Sequence, residues 1–258
     1  MSVARIVKSN LRDDISEHEW QQRVDLAACY RLIAHFGWDD LIYTHISARL
    51  ADNPHHFLFN PYGLMFEEIT ASSLIKVGLD GSVVTGSEYG FNPAGFVIHG
   101  AILDGRSDVS CVLHLHTDQG MAVSAQKSGL LPIAQIGAML FHDIAYHDYE
   151  GPATDENERS RLVADLGTKN LMILRNHGTL SVGATIQDAF LRIHSLERAC
   201  TTQVLAMNGS AEIQLPSDMA LARAEEESRV EAHDEGHASM VWAALLRMLD
   251  RRDSSYRE

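Results

Sequence analysis

Residues 110–117 read SCVLHLHT, and no other stretch restricts the fold as tightly. The run is short and almost wholly apolar, so it reads as a strand buried on both faces. Period-2 geometry puts His114 and His116 on one face beside Val112, and turns Cys111, Leu113 and Leu115 to the other. Two imidazoles side by side on a strand form a bidentate metal clamp, because each offers a neutral nitrogen lone pair. The same pair also fits two core or interface histidines bonded to backbone, and taken alone it leaves both readings open.

The rest of the chain predicts strands and helices in alternation. Ser16 and Glu19 have the spacing of a capping box, followed by a helical apolar pattern from Trp20 to Phe36 and a stop at Gly37. LIYTHISARL and HFLFNPYG read as strands, and IKVGLDGSVV as a hairpin around Asp80-Gly81. Helices are expected over 92–103, 121–127, 158–170 and 185–208, with a short helix or turn at 70–73. Residues 132–149 read as short strands and turns. LMILRNHGTLSVG reads as strand, tight turn, strand. The organisation expected is a loose arm over 1–15, one mixed α/β domain over 16–209, and a charged helical extension over 210–258.

Composition narrows the function classes. Lys and Arg total 21 against 35 Asp and Glu, a formal charge of -14. Such a chain repels nucleic acid and anionic membranes, so neither is expected as a partner. No apolar run approaches the ~20 residues of a membrane span. Three widely spaced cysteines, Cys29, Cys111 and Cys200, fit a reducing compartment, and the first twenty residues show no apolar signal core. A cytoplasmic location is therefore expected.

Among 14 histidines, His177 adds most to the strand pair. It follows the buried run 171–174 in Arg175-Asn176-His177-Gly178, at a strand end where a fold presents a ligand into a cleft. Three histidines leave open coordination positions, as catalytic metal sites do. His18, His233 and His237 lie in polar segments. His142 and His147 frame Asp143 and could line a pocket, while His99 and His194 sit on apolar helix faces.

Several motifs stand in a recognisable order: SCVLHLHT, AVSAQKSGLLPI, IAYHDYEG, LMILRNHG and DAFLRIHSLERAC, preceded by GWDDLIYTHISARL and HFLFNPYGLMFEEITASSL. Over roughly residues 20 to 210 the chain resembles the class II aldolase/adducin family, most of all the adducin head domain and its bacterial relatives. The resemblance implies a three-layer α/β/α sandwich around a central, mostly antiparallel sheet, and a homotetramer. It implies a divalent metal on His114, His116 and His177, zinc first, with manganese or iron as alternatives. Adducin heads have generally lost that histidine set, which this sequence keeps.

The sequence also departs from the aldolases of that family. Their catalytic Glu, four residues before the position of His99, is Gly95 here. His45 stands at an Asn used for phosphate binding, Tyr62 at a Ser, and Pro93-Ala94 at a Ser pair. A phosphate needs several close donors, so a non-phosphorylated keto or aromatic acid is the expected substrate, and Gly95 is expected to open volume beside the metal. The function expected is a metal-dependent lyase of aldolase or decarboxylase type, with His45, Tyr62 and His99 as candidates for proton transfer. The alternatives are a non-enzymatic adducin-like interaction module and a non-haem iron oxygenase.

Overall fold

Eight strands form one sheet: β1 (His45–Arg49), β2 (His56–Phe59), β3 (Ile75–Gly78), β4 (Val83–Thr85), β5 (Cys111–Leu115), β6 (Ile144–His147), β7 (Leu171–Leu174) and β8 (Gly178–Gly183). Their order is β4-β3-β2-β1-β5-β8-β7-β6. The computed structural model describes residues 11–85, 89–151, 157–209, 212–232 and 235–258. The pairings are antiparallel except β6 with β7.

Alternation along the strands divides the side chains between two apolar layers. Ile46, Ala48, Cys111, Leu113, Leu115, Leu171 and Ile173 pack against α1 (Glu17–Phe36), α6 (Ile186–Met207) and α8 (Glu235–Arg252). Phe57, Phe59, Val112, Met172, Leu174, Leu180 and Val182 pack against α2 (Pro93–Gly105) and α5 (Glu158–Leu166). The architecture is the three-layer α/β/α sandwich, and β5 divides its residues between the faces as its alternation predicts.

Local signals account for most helix ends. The Ser16 hydroxyl accepts from the Glu19 amide at 3.0 Å, and Gly37, at φ 68°, ends α1 in the left-handed region. The Glu19 carboxylate does not close the capping box. It pairs instead with Arg23 and with Lys76 of β3, tying α1 to the sheet.

Some expectations are corrected. β1 starts only at His45, because residues 40–43 form a turn with Leu41 at φ 49°. The helix expected over 121–127 is α3 (Asp118–Ser124), drawn forward by Thr117, whose hydroxyl accepts from the Gly120 amide at 2.9 Å. Residues 132–149 contain a helix, α4 (Gln135–Leu140), as well as β6. Residues 70–73 form a turn. Residues 1–10 of the proposed arm lie outside the described residues, and residues 11–14 form one 3-10 turn.

The C-terminal segment forms α7 (Asp218–Ala232) and α8. Trp242 of α8 is buried against Phe190, with ring centroids 5.8 Å apart, and its indole N–H donates to Asp25 at 3.1 Å. This helix therefore packs on its own subunit. Trp242→Ala should cost about 3–5 kcal/mol, read as a lower denaturation midpoint. A loss under about 1 kcal/mol would show that α8 is not part of the domain core.

Candidate metal centre

Three elements converge on the face of the sheet covered by α2. His114 projects from β5, His116 follows that strand directly, and His177 sits in the turn between β7 and β8. That turn places Asn176 at φ 55°, a conformation Asn tolerates better than most residues. Gly178 then brings β8 close to β5. A Cβ there would lie 2.3 Å from the Leu115 carbonyl oxygen and 3.2–3.3 Å from the rings of His116 and His114. The absence of a side chain at 178 is what lets the strands and the imidazoles meet.

The Nε2 atoms lie 2.9 Å apart between His114 and His116, and 3.0 Å apart between His116 and His177. The second ring nitrogens of His114 and His116 are engaged behind. His114 Nδ1–H donates to the Thr179 carbonyl at 2.9 Å, and His116 Nδ1–H donates to Asp40 Oδ2 at 3.0 Å. In those tautomers both Nε2 atoms present lone pairs to one another, which is repulsive unless a cation lies between them. Carbonyl and carboxylate partners of this kind orient ligand histidines in metal sites. One ligand atom from each of the three residues lies within 4.8 Å of the other two, so the donor set fits a divalent cation.

Burial keeps the His114 and His177 rings neutral. It pushes His114 well below the usual imidazole range, aided by the neighbouring rings of His116, His177 and His45. His177 falls to about 4, first by burial and then by His116. Neutral imidazole is the ligand form, so no proton needs to be displaced from these two at neutral pH.

His45 lies directly beside the three. It pairs across the sheet with His114, with ring centroids 5.2 Å apart. Its Nδ1 is 2.8 Å from His99 Nε2, and His99 Nδ1 is 2.7 Å from the Ser47 hydroxyl. This buried chain runs from Ser47 through His99 to His45 and ends at the cavity. The cavity holds about 420 Å³ and is walled by Tyr43, Ile98, Met121 and Tyr149 around the histidines. No Lys or Arg is among its described lining residues. Asn92, Asn176 and Asp40 supply its remaining polar groups.

Tyr62 does not belong to that lining, although it was expected near the reacting groups. The idea that Gly95 opens volume is also corrected. A Cβ at Gly95 would lie 2.5 Å from His45 Cδ2 and 2.7 Å from its Nε2, so the His45 ring already fills that space. A glutamate could be placed at 95 only after the ring is removed. His142 turns away to Glu225, and His147 is held between Asp165 and Glu158. Asp40 was not singled out from sequence. Its acidic pair, Asp39-Asp40, stood in plain view after Gly37, but only the fold brings it to His116.

The relay histidine gives a pH test. Burial pushes His99 down to about 3, against about 6.5 in an unfolded chain. The folded ring stays neutral while the unfolded one takes up a proton. Its stabilising contribution is therefore complete above about pH 6.5 and is lost as pH falls toward 3. The denaturation midpoint of His99→Gln should fall less steeply than that of the unaltered chain between about pH 7 and 4. Parallel slopes would show that His99 is not held neutral.

Comparison with known proteins fits this architecture. Residues 24–204 match the model of the Class II Aldolase and Adducin N-terminal domain. A protein of Caulobacter vibrioides, provisionally named an aldolase class 2 protein, is 50% identical over 257 residues, 99% of each chain. Mouse alpha-adducin is 43% identical over 88% of this chain but only 33% of its own length. The crystal structure of an aldolase II superfamily protein from Pseudomonas syringae, 48% identical, covers 97% of this chain and all of its own with a TM-score of 0.92. An L-fuculose 1-phosphate aldolase from Glaciozyma antarctica, 28% identical, covers 97% of this chain and 95% of its own with a TM-score of 0.81. A sheet that gathers three histidines under α2, in a chain matched by that model over most of its length, belongs to the class II aldolase and adducin family.

Proposed function

We propose that the chain is a divalent-metal-dependent carbon–carbon lyase acting on a non-phosphorylated keto or aromatic acid. The observation that carries this reading is the convergence of three Nε2 atoms at the base of a cavity whose walls are apolar and aromatic. His114, His116 and His177 would hold the ion, zinc ahead of manganese or iron. A bound cation supplies a Lewis acid for a keto or phenolic oxygen of the substrate.

The chain's own residues supply the rest. Tyr43, Ile98, Met121 and Tyr149 exclude water and present flat or apolar surface to a ring or short chain. Asn92 and Asn176 can donate to one carboxylate. Lysine and arginine are missing from the described lining, so a phosphate dianion would enter without the donors that offset its desolvation. His45 occupies the space of the aldolases' Glu and is the group we assign to proton transfer. Its Nδ1 is anchored through His99 to Ser47, which leaves Nε2 to give or take the substrate proton. Aldol cleavage and decarboxylation both need that proton, and the reading covers both. Tyr62, outside the cavity lining, has no part in it.

A second reading has support of its own. The likeness to the L-fuculose 1-phosphate aldolase of Glaciozyma antarctica favours a sugar-phosphate substrate. The likeness to alpha-adducin favours an interaction module, although an interaction module has no need of an assembled donor set. A turnover screen of the metal-loaded chain separates these. Keto or aromatic acids should be consumed, His114→Ala should abolish the activity, and His45→Asn should lower kcat by about 100-fold or more. Efficient cleavage of a fuculose- or ribulose-type phosphate, lost in His114→Ala, would establish the sugar-phosphate reading instead. No turnover, with assembly unchanged on metal removal, would favour the module.

The assembly proposed is a homotetramer. Leu205, Met219 and Met240 are each about two-thirds exposed, more apolar surface than the ends of α6, α7 and α8 need alone. Light scattering should return a mass near four chains, and a monomer at micromolar concentration would refute it.

A further inference from the structure

Behind the metal centre, on the other side of the sheet, lies a carboxylate that the proposed chemistry does not use. Glu197 of α6 is almost fully buried. Thr117 Oγ1–H donates to its Oε2, and Thr179 Oγ1–H donates to its Oε1. Each carboxylate oxygen thus receives one hydroxyl, the pattern of an ionised acid. Burial raises this carboxyl's pKa, and the two threonine donors oppose that rise.

Both threonines belong to the segments that carry the ligands. Thr117 follows His116 and caps α3 through the Gly120 amide. Thr179 offers the carbonyl that receives His114 Nδ1–H. One side chain on α6 therefore clamps the two segments that carry the ligands, one running through His114 and His116 to Thr117 and one through His177 to Thr179, and it does so from behind.

The charge balance gives the clamp a second consequence. Three neutral imidazoles bring no charge to a divalent cation. Asp40 brings one negative charge through His116, but it is 40% exposed and so is screened by water. Glu197 is the buried carboxylate bonded to residues on both sides of the centre. The two together match the ion's double charge, and a charge in a poorly solvated interior acts over a longer range than one in water.

We propose that Glu197 is a positioning residue of the metal centre and sets its cation affinity from behind the sheet, through Thr117 and Thr179 and through its own charge. This rests on the three histidines holding a metal. In an isolated core, a buried carboxylate with only hydroxyl partners costs stability. Its presence here is explained by the cation it faces across the strands.

The test is Zn²⁺ titration of the metal-free full chain against a chelating indicator, together with thermal denaturation of the metal-free form. Glu197→Gln keeps a partner for each threonine, since a hydroxyl can donate or accept, and removes only the charge. It should bind Zn²⁺ about 10-fold more weakly or worse, with a metal-free midpoint equal to or above that of the unaltered chain. Thr179→Val keeps the charge and drops one clamp bond, and it should weaken binding by a smaller factor. Zn²⁺ affinity in Glu197→Gln within about twofold of the unaltered chain would overturn the proposal. So would a lowered metal-free midpoint with unchanged affinity, the mark of a merely structural residue. If Glu197→Gln does not fold, Thr179→Val decides, and unchanged affinity in it overturns the proposal. If the unaltered chain binds no Zn²⁺, the metal reading itself falls, and this inference falls with it.

Discussion

Crowding imidazoles into a buried sheet face is unfavourable, and the molecule is organised around making it tolerable. Three ring nitrogens have a partner behind them: the Thr179 carbonyl for His114, Asp40 for His116, and the His99–Ser47 chain for His45. Backbone, turn and helix each supply one of these partners. His114 and His116 are thereby held in one orientation, with their Nε2 atoms close to that of His177. Binding a cation then needs little reorganisation, which is the advantage of a site carried on rigid strands.

The register of β1 against β5 decides what stands beside that point. His45 faces His114 and Ser47 faces Val112, so β1 contributes a titratable side chain to the same face as the three histidines that could hold a metal. A slip of one residue would turn Ile46 inward and send His45 into the layer beneath α1. Helix α2 completes the arrangement from above. It brings His99 down onto His45 and passes it at Gly95, the residue whose missing side chain leaves room for the ring. His45 and Gly95 therefore act as one unit. Where the resemblance places a helix carboxylate in the family's aldolases, this chain has a glycine beside an imidazole on the strand.

That pairing shapes the functional reading. An imidazole stands beside the three histidines, while the cavity in front has Tyr43, Met121 and Tyr149 among its walls and no Lys or Arg among its described lining residues. The substrate class we propose, a flat or short organic acid, rests on those walls. The fold alone does not set this preference, because the same sheet serves adducins as well as aldolases.

Much of the fold was legible in the chain itself. The period-2 run 111–115 needs burial on both faces. A capping serine at 16 and a glycine at 37 bracket α1, and Asn92-Pro93 opens α2, each because local backbone chemistry leaves few other choices. The histidine set was legible for the same reason, since two ligands share one strand face and the third ends a neighbouring strand, and the family resemblance joined them. What the chain could not reveal were contacts between distant segments. Asp40 reaches His116 across 76 positions, and Glu197 reaches Thr117 across 80. The His45 ring filling the space at Gly95, which looked like open volume from the sequence, is another such contact. Periodicity and capping act within a few residues, so the sequence by itself determined the elements and their inward faces. Sheet order and helix placement act between elements, so only the tertiary structure decided which carboxylates stand behind the histidines and which ring takes the empty position.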